Sequence, residues 1–228
     1  MLHFHLAGIN NQNFIMRDEE TGSWWQQVSG EAIFGPLKGK KLRSVFVDEL
    51  TFGLWKQEQP AGRVLRPDEK IEQAGRYAPA NWEERMTRVP VTTSAYLDQA
   101  LAPRTLVIGV KVNDVACAYP FESLLKQSPI IDEIDRVPIV VVLGEDRRSV
   151  RAFERTVDSR KLELLVKPNA SPLRLVDAET ASEWDFTGKA VSGPLTGRQL
   201  ARVALLEEYW FDWKTYNPKT QVYLLGDR

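Results

Sequence analysis

At 228 residues, with 43% hydrophobic and 27% charged residues, the chain has ample material for a buried core. Its net charge of −1 gives no basic excess for binding nucleic acid, and no apolar run approaches the roughly 20 residues that span a bilayer. The single cysteine, Cys117, excludes an intrachain disulfide and a cysteine-only zinc site.

The chain begins with alternating apolar residues that predict short strands. Leu2, Phe4 and Leu6 alternate with His3 and His5, so the two histidines share one face of a strand. Turn residues separate this strand from the next ones. The predicted strands are two arms within residues 2–18 around a bend at Gly8–Asn13, then Ser23–Gln27, Glu31–Phe34, Leu42–Val47 and Arg63–Leu65.

A helix and a long connection follow these strands. Asp48 is the expected helix N-cap, Leu50 and Leu54 give the helix an apolar side, and Pro60 ends it. Residues 66–103 have four prolines, mixed charge and weak periodicity, which indicates a connector between two structural units. Two stretches of this connector are predicted to form short helical turns, Asp68–Tyr77 and Ala80–Arg88.

Residues 104–176 form a block rich in predicted strands. Asn113 and Asp114 make a good hairpin turn, and Pro120 suits the start of a short helix, Phe121–Lys126. The unbroken apolar run Ile139–Leu143 predicts a strand that would be buried on both faces if it is central in its sheet. The predicted strands are Thr105–Val112, Val115–Ala118, Ile130–Ile134, Val137–Leu143, Ser149–Phe153 and Leu162–Val166.

The stretch Asp177–Leu200 repeats Asp18–Leu42. In the first copy Thr21, Ser23 and Trp25 precede a Gly-Pro-Leu-x-Gly turn, and the same residue types recur in the second copy. The similarity continues to a second helix that carries Trp213, as the first carries Trp55. The equivalent positions are Thr180, Ser182, Trp184 and the turn Gly193–Gly197, followed by the helix at Tyr209–Tyr216 and a strand at Gln221–Leu225.

This repeat fixes the expected architecture. We predict a mainly β protein with a minor α+β character, built of antiparallel sheets with short helices in two pseudo-repeated lobes. Residues 1–65 are the first repeat unit, 66–103 the proline-rich connector and 104–228 the second repeat unit. The second copy is preceded by about 70 residues of predicted strands and the first by almost none. We therefore expect the chain to start part-way into its first unit, through truncation or in a short branch of its family.

The repeated motifs resemble the bacterial family called domain of unknown function 3179, over nearly the whole chain. The resemblance is carried by FHLAGINNQNFIMRDEETGSWWQQVSGEAIFGPLKGKKL at 4–42, VIGVKVNDVACAYPFESL at 107–124, IIDEIDRVPIVVVL at 130–143, and DAETASEWDFTGKAVSGPLTGRQL with YWFDWKTYNPKTQVY within 177–223.

This resemblance implies no assigned activity. It implies that relatives are often exported, and hence an exported or periplasmic location if this chain is truncated, although MLHFHLAGINN shows no signal peptide. Many relatives have a Cys-x-x-Cys element shortly before the point where this chain begins. No such pair occurs here, and Cys117 is not at that place, so any metal or redox work of that pair is unavailable to this chain.

Three residues could form a metal site. His3 and His5 lie about 7 Å apart on one side of a strand, and Asp18 could supply a third ligand across the hairpin for a divalent metal. The alternative is a solvent-facing strand beside a turn. The equivalent of Asp18 in the second copy, Asp177, has no histidine nearby, which favours a turn-forming role for these carboxylates.

The tryptophans and nearby amides could form a ligand site instead. Five of the seven Trp lie in the repeated segments, where they either pack in the core or form exposed stacking surfaces for a sugar. The candidate ligand-binding residues are Trp24, Trp25, Trp184, Gln27, Asn10 and Asn11. Cys117, with no histidine near it in sequence, is expected to be a buried, unreactive thiol and not a nucleophile.

Two functions are consistent with these residues. The first is a non-enzymatic ligand-binding or scaffold module with a small molecule or protein partner in a cleft between the lobes. The alternative is a metal-dependent enzyme or metal carrier that uses His3, His5 and Asp18 and is completed by residues upstream of Met1. The ligand, the compartment, the oligomeric state and whether the protein is an enzyme stay open at this point.

Overall fold

Sheets that are antiparallel except for one parallel strand pair, Gln221–Val222 with Val115–Pro120, are joined by short helices in the part of the chain that the computed structural model describes. The described residues are 1–10, 13–43, 45–75, 77–91 and 99–226. The chain is therefore mainly β, as its alternating apolar residues predict. None of the described helices is long and apolar enough to cross a membrane.

The first four strands form one antiparallel sheet in sequence order. A bulge between Leu6 and Gly8 lets the first strand continue to Asn10, so the predicted bend at Gly8–Asn13 is shorter than expected. The strands are β1 (Phe4–Asn10), β2 (Asn13–Asp18), β3 (Trp24–Gln26) and β4 (Ala32–Phe34).

The first helix, α1 (Phe52–Glu58), begins later than the sequence predicts. Its N-cap is Thr51, whose hydroxyl accepts a hydrogen bond from the first turn of the helix. The expected cap, Asp48, instead accepts hydrogen bonds from Arg151 and Arg202. Asp48 accepts from two guanidinium groups, and Arg202 bonds both of its oxygens, which accounts for the difference because a backbone cap offers no opposite charge.

Two predicted strands are wrong. The described residues of Leu42–Val47 and all of Arg63–Leu65 form no strand, and Val45 and Leu65 are largely exposed. A strand gains most of its stability from pairing and packing, which sequence propensity does not supply. The connector forms the two predicted helical fragments, α2 (Glu69–Gln73) and α3 (Trp82–Thr87).

The central block follows the predicted order of strands closely. Two short strands of this block were not predicted, Thr156–Val157 and Arg160–Lys161, which form a hairpin whose turn residues Asp158 and Ser159 have positive φ. The elements are β5 (Leu106–Val112), β6 (Val115–Pro120), α4 (Phe121–Lys126), β7 (Ile130–Ile134), β8 (Val137–Leu143), β9 (Val150–Glu154), β10 (Thr156–Val157) and β11 (Arg160–Lys161).

The second repeat copy forms a sheet with the same strand order as the first, and further strands complete the two central sheets. The remaining elements are β12 (Leu164–Val166), β13 (Arg174–Asp177), β14 (Glu183–Asp185), β15 (Ala190–Ser192), β16 (Arg202–Val203), β17 (Leu205–Tyr209), α5 (Trp210–Tyr216) and β18 (Gln221–Val222).

Two packed sheets form the centre of the molecule, in the strand orders β16-β9-β8-β7 and β17-β5-β6-β18. Because β8 lies inside its sheet, one side of it packs through Ile139 and Val141 against Ile108 of the facing sheet. Its other side packs through Val140 and Val142 into the cluster that contains Trp184. This confirms the prediction of a central strand buried on both faces.

The two repeat copies make the same hydrogen bonds. Trp25 Nε1 donates to Asp18 at 2.7 Å, and Trp184 Nε1 donates to Asp177 at 2.9 Å. In each copy the serine two residues before the tryptophan accepts a hydrogen bond from the backbone of the Gly-Pro-Leu turn at 3.0 Å. The shared network explains why the sequence repeats Asp, Thr, Ser and Trp at fixed spacing.

The copies differ in what covers them. Leu164 and Leu200 of the second copy are fully buried against the sheet that holds Phe153, whereas Phe4 and Leu42 occupy the matching places in the first copy and are 38% and 41% exposed. The first copy therefore leaves room beside its loops, and that room borders the cavity described next.

Candidate functional site

A cavity of about 370 Å³ lies between the loops of the first copy and the strands and helix that follow the second copy. Its volume is within the range of small-molecule pockets, which is about 300–1,000 Å³. The first copy contributes residues 27–30, 41–43 and 45–47. The other wall consists of Gly109, Lys111, residues 202–206, Trp213, Tyr216 and Asn217.

Apolar side chains form most of the wall. The backbone of β5 lies open to α5 because residue 109 is a glycine, where an added Cβ would stand 2.3 Å from the Trp213 ring. The indole of Trp213 is fixed by donating to Thr220 at 2.8 Å. Other apolar residues of the wall are Val28, Leu42, Val45, Phe46, Val47, Val203, Leu205 and Leu206.

The charged residues of the lining are all basic. They are Lys41, Arg43, Lys111 and Arg202, although the whole chain has 30 basic and 31 acidic residues. Arg202 is already paired with Asp48, and Lys111 stands 3.6 Å from the exposed Asp114. Within the described residues Lys41 and Arg43 form no ion pair, so both cations are available to a ligand.

Two buried polar atoms stand without partners near Tyr216. Among the described residues the Tyr216 hydroxyl and the Gln26 side-chain nitrogen form no hydrogen bond, although Gln26 is only 4% exposed. Burial raises the pKa of Tyr216, and the neighbouring side-chain amides of Gln26 and Asn13 offset this rise in part. Unsatisfied buried donors are costly, and a ligand or water that accepts from them would stabilise the site.

A pair of carboxyl groups lies behind Tyr216. Burial, followed by the negative charge of Asp212, raises the pKa of Glu208 to about 8. Burial also raises the pKa of Asp212, although Asn13 donates a hydrogen bond to it and lowers the pKa in part. One of the two carboxyl groups is therefore protonated near neutral pH. Because Asn13 is in β2 and Asp212 in α5, this pair also joins the first sheet to the last helix.

Comparison of the copies could have revealed this pair from sequence. The shift that aligns Trp55 with Trp213 is 213 − 55 = 158 residues, and it places Glu208 and Asp212 on Leu50 and Leu54. Where the first copy has two leucines, the second copy has two acids, Glu208 in β17 and Asp212 in α5. The sequence analysis used the matches between the copies and missed this mismatch.

A second cavity, of about 480 Å³, lies beside α1, and most of the charged residues that line it are acidic. Two of these groups are already engaged inside the protein. Glu58 accepts two hydrogen bonds from the buried Arg151 at 2.7 Å, and Asp146 accepts from Thr51 and Ser149. This cavity therefore offers fewer available groups to a ligand than the one at Trp213.

The predicted ligand-binding residues lie in different environments. Trp25 and Trp184 are buried, at 4% and 0% exposure, and each donates to the aspartate of its own copy. Trp24 is 40% exposed and packs edge-on against Phe34. Gln27 lines the cavity at Trp213. Asn11 lies outside the described residues, and of Asn10 only the backbone is described.

The predicted metal ligands are not brought together. Asp18 is fully buried, and its pKa is held at about 2 because hydrogen bonds from Trp25 and Thr21 outweigh the desolvation that would raise it. His3 Nδ1 lies 2.5 Å from a carboxylate oxygen of Glu20. His5 pairs across the sheet with Arg17, the residue before Asp18, so the side chains of His5 and Asp18 lie on opposite faces of the sheet. No group of three or more His, Cys, Asp or Glu within the described ranges could hold a metal ion.

Comparison with known proteins gives one match. The model of a family described as "Protein of unknown function (DUF3179)" matches residues 3–220. No curated protein and no solved structure matches the chain.

Proposed function

The chain belongs to the DUF3179 family of proteins of unknown function, and from its geometry we propose a non-enzymatic binding module that takes a small molecule into the cavity at Trp213. The observation that carries this proposal is a cavity of about 370 Å³ with a mainly apolar wall and two cations, Lys41 and Arg43, that form no ion pair within the described residues. Sites for small molecules have this composition.

The lining supports binding more than catalysis. The described residues that line the cavity include no histidine, cysteine or carboxylate, which are the groups most used for proton transfer and covalent catalysis. Tyr216 has a raised pKa and therefore stays protonated, so it can donate a hydrogen bond but is a poor base. Gln27 is the residue of the predicted ligand set that this proposal keeps.

Dye fluorescence tests the proposal. Anilinonaphthalene sulfonate and its uncharged parent N-phenylnaphthylamine both become fluorescent in apolar sites, and at least one is expected to bind the native protein at one site. In the variant Ala204→Trp, an indole on a lining residue fills the cavity and should abolish this binding. The control variant Ala178→Trp adds the same indole at an exposed turn residue that does not line the cavity.

The two variants decide the outcome. Loss of binding in Ala204→Trp with retention in Ala178→Trp is the expected result. Binding that survives in both variants, or the absence of binding by either dye to the native protein, would overturn the proposed function. Circular dichroism of each variant checks that its strands are intact.

A further inference from the structure

We propose that the ligand of this cavity is an anionic amphiphile, with its acidic group at Lys41 and Arg43 and its apolar body toward Leu206 and Trp213. This inference rests on the proposed function and names the class of ligand. Its basis is the distribution of charge around the cavity, because the part of the lining that the structure describes includes four basic residues and no acidic residue.

The two ends of the cavity differ in charge. At the outer end Lys41 and Arg43 are exposed, flank Leu42 at the end of the first copy and form no ion pair with any described residue. At the inner end Tyr216 lies close to Glu208 and Asp212, whose negative charge adds to the rise in its pKa. An anion at the inner end would be repelled, whereas an anion at the outer end would be attracted.

The apolar wall indicates that the rest of the ligand is apolar. Trp213 and Leu206 pack in the core cluster beneath the cavity, and Val45, Phe46 and Val47 stand across from them with 61–72% of their surface exposed. An apolar body in the cavity would cover mainly Val45, Phe46 and Val47, because Trp213 is only 3% exposed, and would gain free energy in proportion to the area removed from water. A fully polar anion such as inorganic phosphate would gain nothing from them.

The two unpaired cations determine how strongly the cavity should prefer an anionic ligand over an uncharged one. Lys41 and Arg43 are solvent-exposed, so each ion pair is screened and contributes modestly, and together they correspond to about a tenfold change in affinity. Arg202 keeps its bond to Asp48, and this bond places a third, partly neutralised cation beside the same site. The preference should therefore weaken as the salt concentration rises.

The test compares the two dyes, which share one apolar body and differ in the sulfonate. The native protein should bind anilinonaphthalene sulfonate about tenfold more tightly than N-phenylnaphthylamine. In the double variant Lys41→Gln, Arg43→Gln this ratio should fall to within about twofold, because the cations are gone and the wall is intact. The control Lys38→Gln, Arg63→Gln removes the same charge at exposed residues that do not line the cavity, and should keep the ratio.

Each outcome separates this inference from the proposed function. Equal affinity for both dyes in the native protein, or a ratio that the Lys41 and Arg43 substitutions leave unchanged, would overturn the inference while binding itself stands. Failure of both dyes to bind, or binding that is insensitive to Ala204→Trp, would overturn the proposed function and this inference with it.

Discussion

Gly35 and Gly193 mark the closest backbone approach within each repeat copy. Their φ angles are +94° and +86°, and a Cβ at Gly193 would stand 2.6 Å from the Cα of Ser182. The closing glycine of the same turn, Gly197, has φ of +87° but no atom within 4 Å of an added Cβ. Two glycines of one turn are therefore retained for different physical reasons.

This difference gives a prediction about stability. Gly197→Ala adds only backbone strain and should lower the free energy of unfolding by about 1 kcal/mol. Gly193→Ala adds the same strain and a clash with backbone, and should lower it by about 3 kcal/mol or more. Urea unfolding followed by tryptophan fluorescence measures both changes, and equal losses would show that the close contact with Ser182 has no energetic effect.

Single residues of the site were the hardest to predict. The tryptophans were candidate ligand contacts, yet the indoles of Trp25 and Trp184 each hold a buried aspartate. Lys41 and Arg43 look like ordinary surface residues until the fold brings them beside Trp213, far along the chain. Sequence patterns report periodicity and turns, whereas a cavity depends on contacts between distant segments.

Among the elements, the sequence predicted strands correctly where a neighbouring strand supplies hydrogen bonds to the backbone. The hairpin β5–β6, with its turn at Asn113, and the buried strand β8 follow from local pattern alone. It failed at Leu42–Val47 and Arg63–Leu65, which have strand-like residues and no strand pairing among the described residues. The helix start moved from Asp48 to Thr51 because a distant arginine engages the aspartate.

The contact between β2 and α5 gives a prediction about pH. The pKa of Glu208 is raised from 4.5 to about 8 in the folded protein. Between these values the folded state holds a proton that the unfolded state releases, so this group's contribution to stability is full below pH 4.5 and is lost as the pH rises through about 8.

The variant Glu208→Gln removes this titration and keeps the shape of the side chain. Its melting temperature relative to the native protein should therefore rise between about pH 5 and pH 9, since only the native protein incurs the cost of ionising the pair. Glu122→Gln, at an exposed position of α4, is the control and should show no such trend. If the difference in melting temperature between Glu208→Gln and the native protein stays constant with pH, the proposal that Glu208 and Asp212 share a proton is wrong.

At the scale of the whole molecule, duplication explains the two sheets β1–β4 and β12–β15, and the difference between the copies explains the site. The second copy is sealed against the central sheet through Leu200 and Trp184, and the first copy leaves Leu42 at the edge of a cavity. The repeat was readable from sequence because both copies keep the same hydrogen bonds. The surface that each copy packs against could not be predicted from sequence, because it depends on the position of the central sheets, which only the structure shows.

The most direct measurement is a crystal structure of the protein grown with anilinonaphthalene sulfonate. The account predicts the naphthalene body between Phe46 and Trp213, with the sulfonate within about 4 Å of Lys41 or Arg43, a distance at which charge attraction is appreciable. A dye that instead covers the exposed side chains of the first sheet, such as Phe4 and Leu6, with the cavity at Trp213 empty, would contradict it.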